Sequence, residues 1–305
     1  MAELKSELSW STSRARMLRT CPRRYYYHYY LAWEGWKPEA PPDRRQAYLL
    51  KSMVNLDMLA GQVVHDVIRE TFNRDRDELT PVTCEQAKKL AVTRLTDAWR
   101  QSKDQMWRRS PKRFANLFEH YYGKEVTPER RGQIREKVEK CIANLFALEI
   151  FQSIRSAGVK CWLAIDQIDS FEFAGVKVYA APDFALRDGQ TVCIYDWKTG
   201  KRDDQVDQQL SCYALFAADR WKVKPPFVLA SAVYLMEGEV EQIEVTEEKL
   251  ARLEDSIRAG LSEMMNLLRS VEHNIPRDIE AFSRTQDTVQ CTRCFFEEIC
   301  KPYPN

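Results

Sequence analysis

The sequence predicts an α/β fold in which a central mixed sheet is flanked by helices and carries a helical insertion. Apolar residues recur at helical spacing from Leu59 to about Ser156, and from Cys161 the pattern changes to short β-branched and aromatic runs. Helical periodicity then returns between and after those runs, so helices must cover the faces of a sheet.

The N-terminal segment, 1–60, is rich in arginine and aromatic residues and closes with the proline-containing stretch Pro38 to Pro42. In the helical region, 61–160, Gly61-Gln62-Val63-Val64-His65 is expected to open the first long helix. Thr83 with Gln86 three residues on reads as a capping box for a helix through about Arg100. Thr127-Pro128 reads as an N-cap and first helical residue, with Ile134, Val138, Cys141, Ile142, Leu145 and Leu148 on one face and Gly158 as a stop. The sheet core, 161–245, is predicted to hold strands at 161–173, 176–186 and 191–197, a helix over 206–218, and strands at 227–236 and 240–245. In the last part, 246–305, Thr246 caps a helix bearing Leu250, Leu253, Ile257, Leu261 and Met264, and a tail with three cysteines follows. All four parts are expected to form one domain, 1–305.

The chain has 305 residues, 44% of them hydrophobic, enough for a sizeable core. Its 46 basic and 45 acidic residues leave a net charge of +1, so any phosphate-binding surface must be a local patch. Met1 to Glu7 has no apolar leader core and no segment reaches the ~18 apolar residues of a membrane span, so a soluble cytoplasmic protein is expected. Nine cysteines, an odd number, argue against a disulfide scaffold and point to metal binding. No Gly-x-x-x-x-Gly-Lys-Ser/Thr loop is present, so any unwinding of DNA must come from elsewhere.

Asp183 ends one strand pattern, and Asp196-Trp197-Lys198 ends the next, with a hairpin signal at Asp188-Gly189 between them. Strand alternation places Asp196 and Lys198 on one face and Trp197 on the other. Two carboxylates suit Mg²⁺ or Mn²⁺, the backbone carbonyl of Trp197 could add a third oxygen, and Lys198 would stabilise charge developing on a phosphate. The same residues also suit a surface ion pair on a hairpin. His65 stands on an otherwise apolar helix stripe, and Gln209 and Tyr213 share one face of the helix after the Asp-x-Lys strand.

In order, Gly-x-x-x-His, Pro182-Asp183, Asp196-Trp197-Lys198-Thr199-Gly200 and Gln-x-x-x-Tyr resemble the PD-(D/E)XK nucleases of the RecB type. The resemblance implies a restriction-endonuclease-like core, with His65, Asp183 and Asp196 as metal ligands and Lys198 as the catalytic lysine. It makes Gln209 and Tyr213 supports of the site or DNA contacts.

Cys291, Cys294 and Cys300 form a C-x2-C-x5-C tail, which needs a fourth ligand for a metal centre. Cys21 is the best choice, since Cys84, Cys141, Cys161, Cys193 and Cys212 fall within helical or strand patterns. The chain resembles the iron–sulfur subset of the family, which includes AddB-like and CRISPR-associated RecB-like nucleases. In that subset one N-terminal and three C-terminal cysteines hold a [4Fe–4S] cluster. Thiolates at this spacing also suit Zn²⁺; either centre would staple the chain ends together.

Arg14, Arg16, Arg19, Arg23 and Arg24, followed by Tyr25, Tyr26, Tyr27, Tyr29 and Tyr30, combine cations for phosphates with rings for base stacking, although tyrosines on a helix also pack cores. Arg108, Arg109, Lys112 and Arg113, and Arg130, Arg131 and Arg135, are further basic clusters. Motifs and resemblance together predict a Mg²⁺- or Mn²⁺-dependent DNA exonuclease acting on single-stranded or frayed ends, in repair, recombination or CRISPR adaptation, with a helicase or integrase as partner. The alternatives are a DNA-end-binding subunit with little activity alone and a structural four-cysteine module with a relict site.

Overall fold

The computed structural model describes residues 6–300. Met1–Lys5, most of the stretch expected to lack an apolar leader core, and residues 301–305 lie outside the described residues. A short strand β1 (Ser9–Trp10) leads into helix Thr12–Thr20, capped by the side chain of Ser11 accepting from the Arg14 amide.

The two strands predicted over 161–173 and 176–186 are each broken in two. The first becomes β2 (Trp162–Ile165) and β3 (Asp169–Phe173), the second β4 (Val176–Ala180) and β5 (Phe184–Asp188). The causes are local: Asp166 takes φ +45°, outside the extended region, and Pro182 has no N–H to offer a ladder. The two breaks face each other, because the Asp166 amide donates to the Asp183 carbonyl at 2.8 Å. Beyond them the chain changes sheets: β3 and β4 pair antiparallel, with β1 parallel to β4, in a separate three-stranded sheet.

The main sheet adds β6 (Thr191–Lys198), β7 (Val228–Tyr234) and β8 (Glu239–Ile243), in the order β2-β5-β6-β7-β8. The expected hairpin joins β5 to β6, with Asp188 opposite Thr191 and Gly189 at φ +57°. β6 and β7 run parallel, which requires a crossover, and helix Val206–Arg220 supplies it. The sheet is therefore mixed, as expected.

Residues along β6 alternate between two cores. Val192 and Ile194 face helices Val206–Arg220 and Glu247–Asn266, whereas Cys193, Tyr195 and Trp197 face the helical region. In that second core Phe72, fully buried, meets Phe151, Trp162, Phe184 and Trp197. Helix Leu56–Arg76 thus docks on the sheet with Phe72 as an aromatic plug beside the buried Val63, Val64, Val67 and Ile68.

Helix boundaries follow local chemistry. The first long helix begins at Leu56, not Gly61, because the Asn55 side chain accepts from the Met58 amide and caps it there. Both hydrogen bonds of the Thr83–Gln86 capping box form. The helix opened by Thr127 and Pro128 ends at Ala147, where Leu148 turns extended, and a second helix, Glu149–Ala157, stops at Gly158 with φ +79°. Thr246 caps helix Glu247–Asn266 as predicted.

Candidate active site

Asp196 and Lys198 occupy the end of β6 on the face that carries Ile194, and Trp197, only 2% exposed, points into the opposite core. Asp183 stands in the gap between β4 and β5, just after Pro182. Its position is locked from two sides: the Trp197 amide donates to Oδ2 at 2.7 Å, and His65 Nδ1 lies 3.1 Å from Oδ1. One oxygen is thus tied to β6 and the other to the first long helix.

Gly61 explains how that helix comes so close. A Cβ at this position would lie 3.1 Å from Thr199 Oγ1, directly after the Asp-x-Lys strand. The missing side chain lets the helix settle against this segment, and His65, one turn on, reaches Asp183.

Helix Val206–Arg220 contributes from the other side. Lys198 Nζ donates to Gln209 Oε1 at 2.6 Å, and Gln209 Nε2 donates to the Tyr213 hydroxyl at 2.8 Å. That hydroxyl lies 3.0 Å from the Ala181 carbonyl and 3.2 Å from Asp196 Oδ1. Its single proton serves one of these acceptors at a time. The four-residue spacing of Gln209 and Tyr213 therefore builds a relay between the ammonium and the carboxylate. Lys198 Nζ also lies 2.5 Å from Asp196 Oδ2, an ion pair by distance whose alignment leaves that buried oxygen without a hydrogen bond.

Burial first, then the charge of Asp183, raises the Asp196 carboxyl to about 6. For His65 burial alone would lower the value, but the carboxylates of Asp183, Asp196 and Asp166 outweigh it and hold the imidazole at about 9. Two acids, an imidazole and an amine share one cluster, with Asp196 buried and the others half-buried, on the wall of a cavity of about 680 Å³. Among the described residues, no three His, Cys, Asp or Glu side chains are drawn together as a formed metal centre. The donor set nevertheless suits a hard divalent cation, since it offers carboxylate oxygens, one of them buried and lacking a hydrogen bond, beside a neutralisable imidazole.

A family model described as the PD-(D/E)XK nuclease superfamily matches residues 9–301, nearly the whole chain. The chain belongs to the PD-(D/E)XK nuclease superfamily. Among curated proteins none matches its sequence. Membership makes the protein a metal-dependent nuclease, with Mg²⁺ or Mn²⁺ as the usual cofactor and DNA as the substrate class. The mixed sheet with helices on both faces fits the superfamily core. Among the described residues no helix is long and apolar enough to cross a membrane.

Away from the cavity, Cys21, Cys291, Cys294 and Cys300 all line a second, smaller space of about 210 Å³. Cys21 caps helix Pro22–Tyr26, and the other three lie on short turns of the C-terminal tail. Burial, chiefly, pushes the Cys294 thiol to about 11, with smaller contributions from Cys21 and Cys300. Of the remaining cysteines, Cys141 and Cys212 are buried in helices, as their patterns predict.

The proposed DNA-facing residues separate. Tyr25 is fully buried, and Arg23, 8% exposed, donates from Nε to the Phe282 carbonyl, so both serve the core instead of an open surface. Tyr26 is half-buried against Phe282, Arg24 reaches the cysteine space over the Phe295 ring, and Arg19 is exposed. Arg14, 9% exposed, is held by Ser9 and lies 4.1 Å from the Tyr29 ring centre, and both Arg14 and Tyr29 line the cavity of about 680 Å³. Tyr29 belongs to the tyrosine run singled out in the sequence, whereas sequence reasoning missed Asp166 as a cavity residue. Asp166 is brought in only by the break between β2 and β3, which left no signal in the hydrophobic pattern.

Proposed function

We propose that this superfamily member is a RecB-like exonuclease that hydrolyses phosphodiester bonds at single-stranded or frayed DNA ends. The observation that carries the proposal is the meeting of His65, Asp183, Asp196 and Lys198 on one cavity wall, with Gln209 and Tyr213 behind them. In this reading His65, Asp183, Asp196 and the Trp197 backbone carbonyl would hold Mg²⁺ or Mn²⁺. When bound, the ion supplies Lewis-acid polarisation of the scissile phosphate and makes water more acidic. Lys198 offers protons to the charge that develops on the phosphate or orients the attacking water. Gln209 fixes the direction of its ammonium by accepting one of its hydrogen bonds. Tyr213 accepts from Gln209 and positions Asp196, so both helix residues act through others. Burial of Asp196 keeps bulk water away from the charges and strengthens each electrostatic interaction.

The four cysteines are proposed to hold a [4Fe–4S] cluster that staples residues near Cys21 to the tail, with Zn²⁺ as the competing occupant. Support comes from their shared space and from hydrogen bonds that already join the two ends, including Tyr27 to the Ile299 carbonyl and Arg23 to Phe282. The whole chain is proposed to work as one cytoplasmic nuclease domain, with a helicase or integrase supplying opened DNA.

Assays on 5′- and 3′-labelled single and double strands, with and without Mn²⁺, test the activity and its polarity. Asp196→Ala and Lys198→Ala are expected to abolish metal-dependent degradation while remaining folded, and full activity in either would sink the mechanism. Protein purified without oxygen is expected to contain iron and acid-labile sulfide; stoichiometric zinc without iron would replace the cluster proposal.

A further inference from the structure

Many of the described arginines and lysines are paired with carboxylates. Arg16 pairs with Asp203, Arg44 with Glu34 and Arg69 with Asp166. Arg14, Lys51 and Lys112 differ, because among the described residues none forms an ion pair with a carboxylate. They also crowd one another. Burial first, then the charges of Arg14 and Lys112, lowers the Lys51 ammonium to about 8. Like charges gathered without acids destabilise a folded protein unless something anionic arrives.

Aromatic rings are interleaved with these charges. Tyr29 stands in the cavity wall with Arg14 at 4.1 Å and Lys51 at 5.6 Å from its ring centre. Further out, Lys112 lies 5.9 Å from the ring of Trp36, an exposed tryptophan braced edge-on by Trp33. A cation beside an exposed tryptophan suits a polynucleotide whose bases are free to stack, and a duplex keeps its bases inside.

We propose that Arg14, Lys51 and Lys112, with the Tyr29 and Trp36 rings, form the lane by which a single DNA strand reaches the catalytic cavity. The proposal rests on the nuclease reading above and names the surface that delivers the substrate. Tyr29 would meet the strand at the cavity, with the charge of Arg14, itself 9% exposed and held by Ser9, behind it, and Lys112 and Trp36 would meet the strand first.

Binding of a labelled oligothymidylate, followed by fluorescence anisotropy in EDTA over a range of salt, tests the lane without requiring hydrolysis. Lys112→Glu, at an exposed position, is expected to weaken binding about fivefold or more and to reduce the salt slope by about 0.7 for each phosphate no longer neutralised. Lys51→Gln should act in the same direction, and Arg135→Glu, on a remote helix face where Arg135 pairs with Glu139, should match the parent. Parent-like binding by both lysine variants, or an equal loss in Arg135→Glu, overturns the lane. A parent that binds oligouridylate but not oligothymidylate overturns its assignment to DNA. Failure of the parent to hydrolyse any strand with Mn²⁺ counts against the nuclease reading alone, because the binding series stands without it.

Discussion

Replacing Asp196 by asparagine separates the cost of the site from its use. The carboxyl is 3% exposed, and burial with the Asp183 charge raises it to about 6 from the 3.8 of an ordinary aspartate. A group whose folded-state value is raised binds its proton more tightly in the native protein, so ionisation opposes folding. The opposition is absent below the unfolded value, grows as pH rises from 3.8 to 6, and is complete above 6. At about 1.36 kcal/mol per unit it amounts to about 3 kcal/mol at neutral pH. Asparagine mimics the protonated acid in shape and removes the buried negative charge. In the metal-free protein, Asp196→Asn is therefore expected to raise stability by up to about 3 kcal/mol at pH 8, the remainder being lost with the Lys198 ion pair. Near pH 5 the gain should shrink to about half, because the parent's own carboxyl is then largely protonated. Urea unfolding of matched preparations in EDTA at both pH values measures this, alongside Mn²⁺-dependent nuclease activity, which should vanish at either pH. A variant no more stable than the parent at pH 8, or equally stabilised at both pH values, would refute the claim that the buried, ionised Asp196 opposes folding.

Three other outcomes follow from the same geometry. Because His65 holds its proton up to about pH 9 against Asp183, an ion must displace that proton, and apparent Mn²⁺ affinity should rise with pH by up to about tenfold per unit below 9; isothermal titration giving a flat profile would exclude His65 as a ligand. Gly61→Ala pushes a methyl against Thr199 Oγ1, so kcat should fall about tenfold or more while stability changes by less than about 1 kcal/mol, and adding Thr199→Ala should restore activity. Phe72→Ala removes the plug between Phe151, Trp162, Phe184 and Trp197 and should cost about 3–5 kcal/mol in urea unfolding, with a smaller loss leaving helix docking to other contacts.

The residues of the site were legible where chemistry follows from alternation or helical spacing. The face shared by Asp196 and Lys198 comes from the period of a strand, and the Gln209–Tyr213 hydrogen bond from the four-residue spacing of a helix. The capping residues Thr83, Thr127 and Thr246 were legible for the same reason, since each acts within one turn. What could not be read is the long-range cause of Asp183's position. The apolar run from Val176 to Leu186 looks continuous, yet it is divided between two sheets at Pro182, and the matching break at Asp166 lies in another run. That division turns Asp183 from a strand residue into one facing a gap, where a β6 amide and a helix imidazole can hold its two oxygens. The arginine and tyrosine run misled for the converse reason. Its composition fits a binding surface, but helical geometry sends Tyr25 and Arg23 inward and leaves Arg14 and Tyr29 at the cavity. Composition alone suggests a binding surface along this whole segment, and only the direction of each side chain decides which of its residues face the cavity.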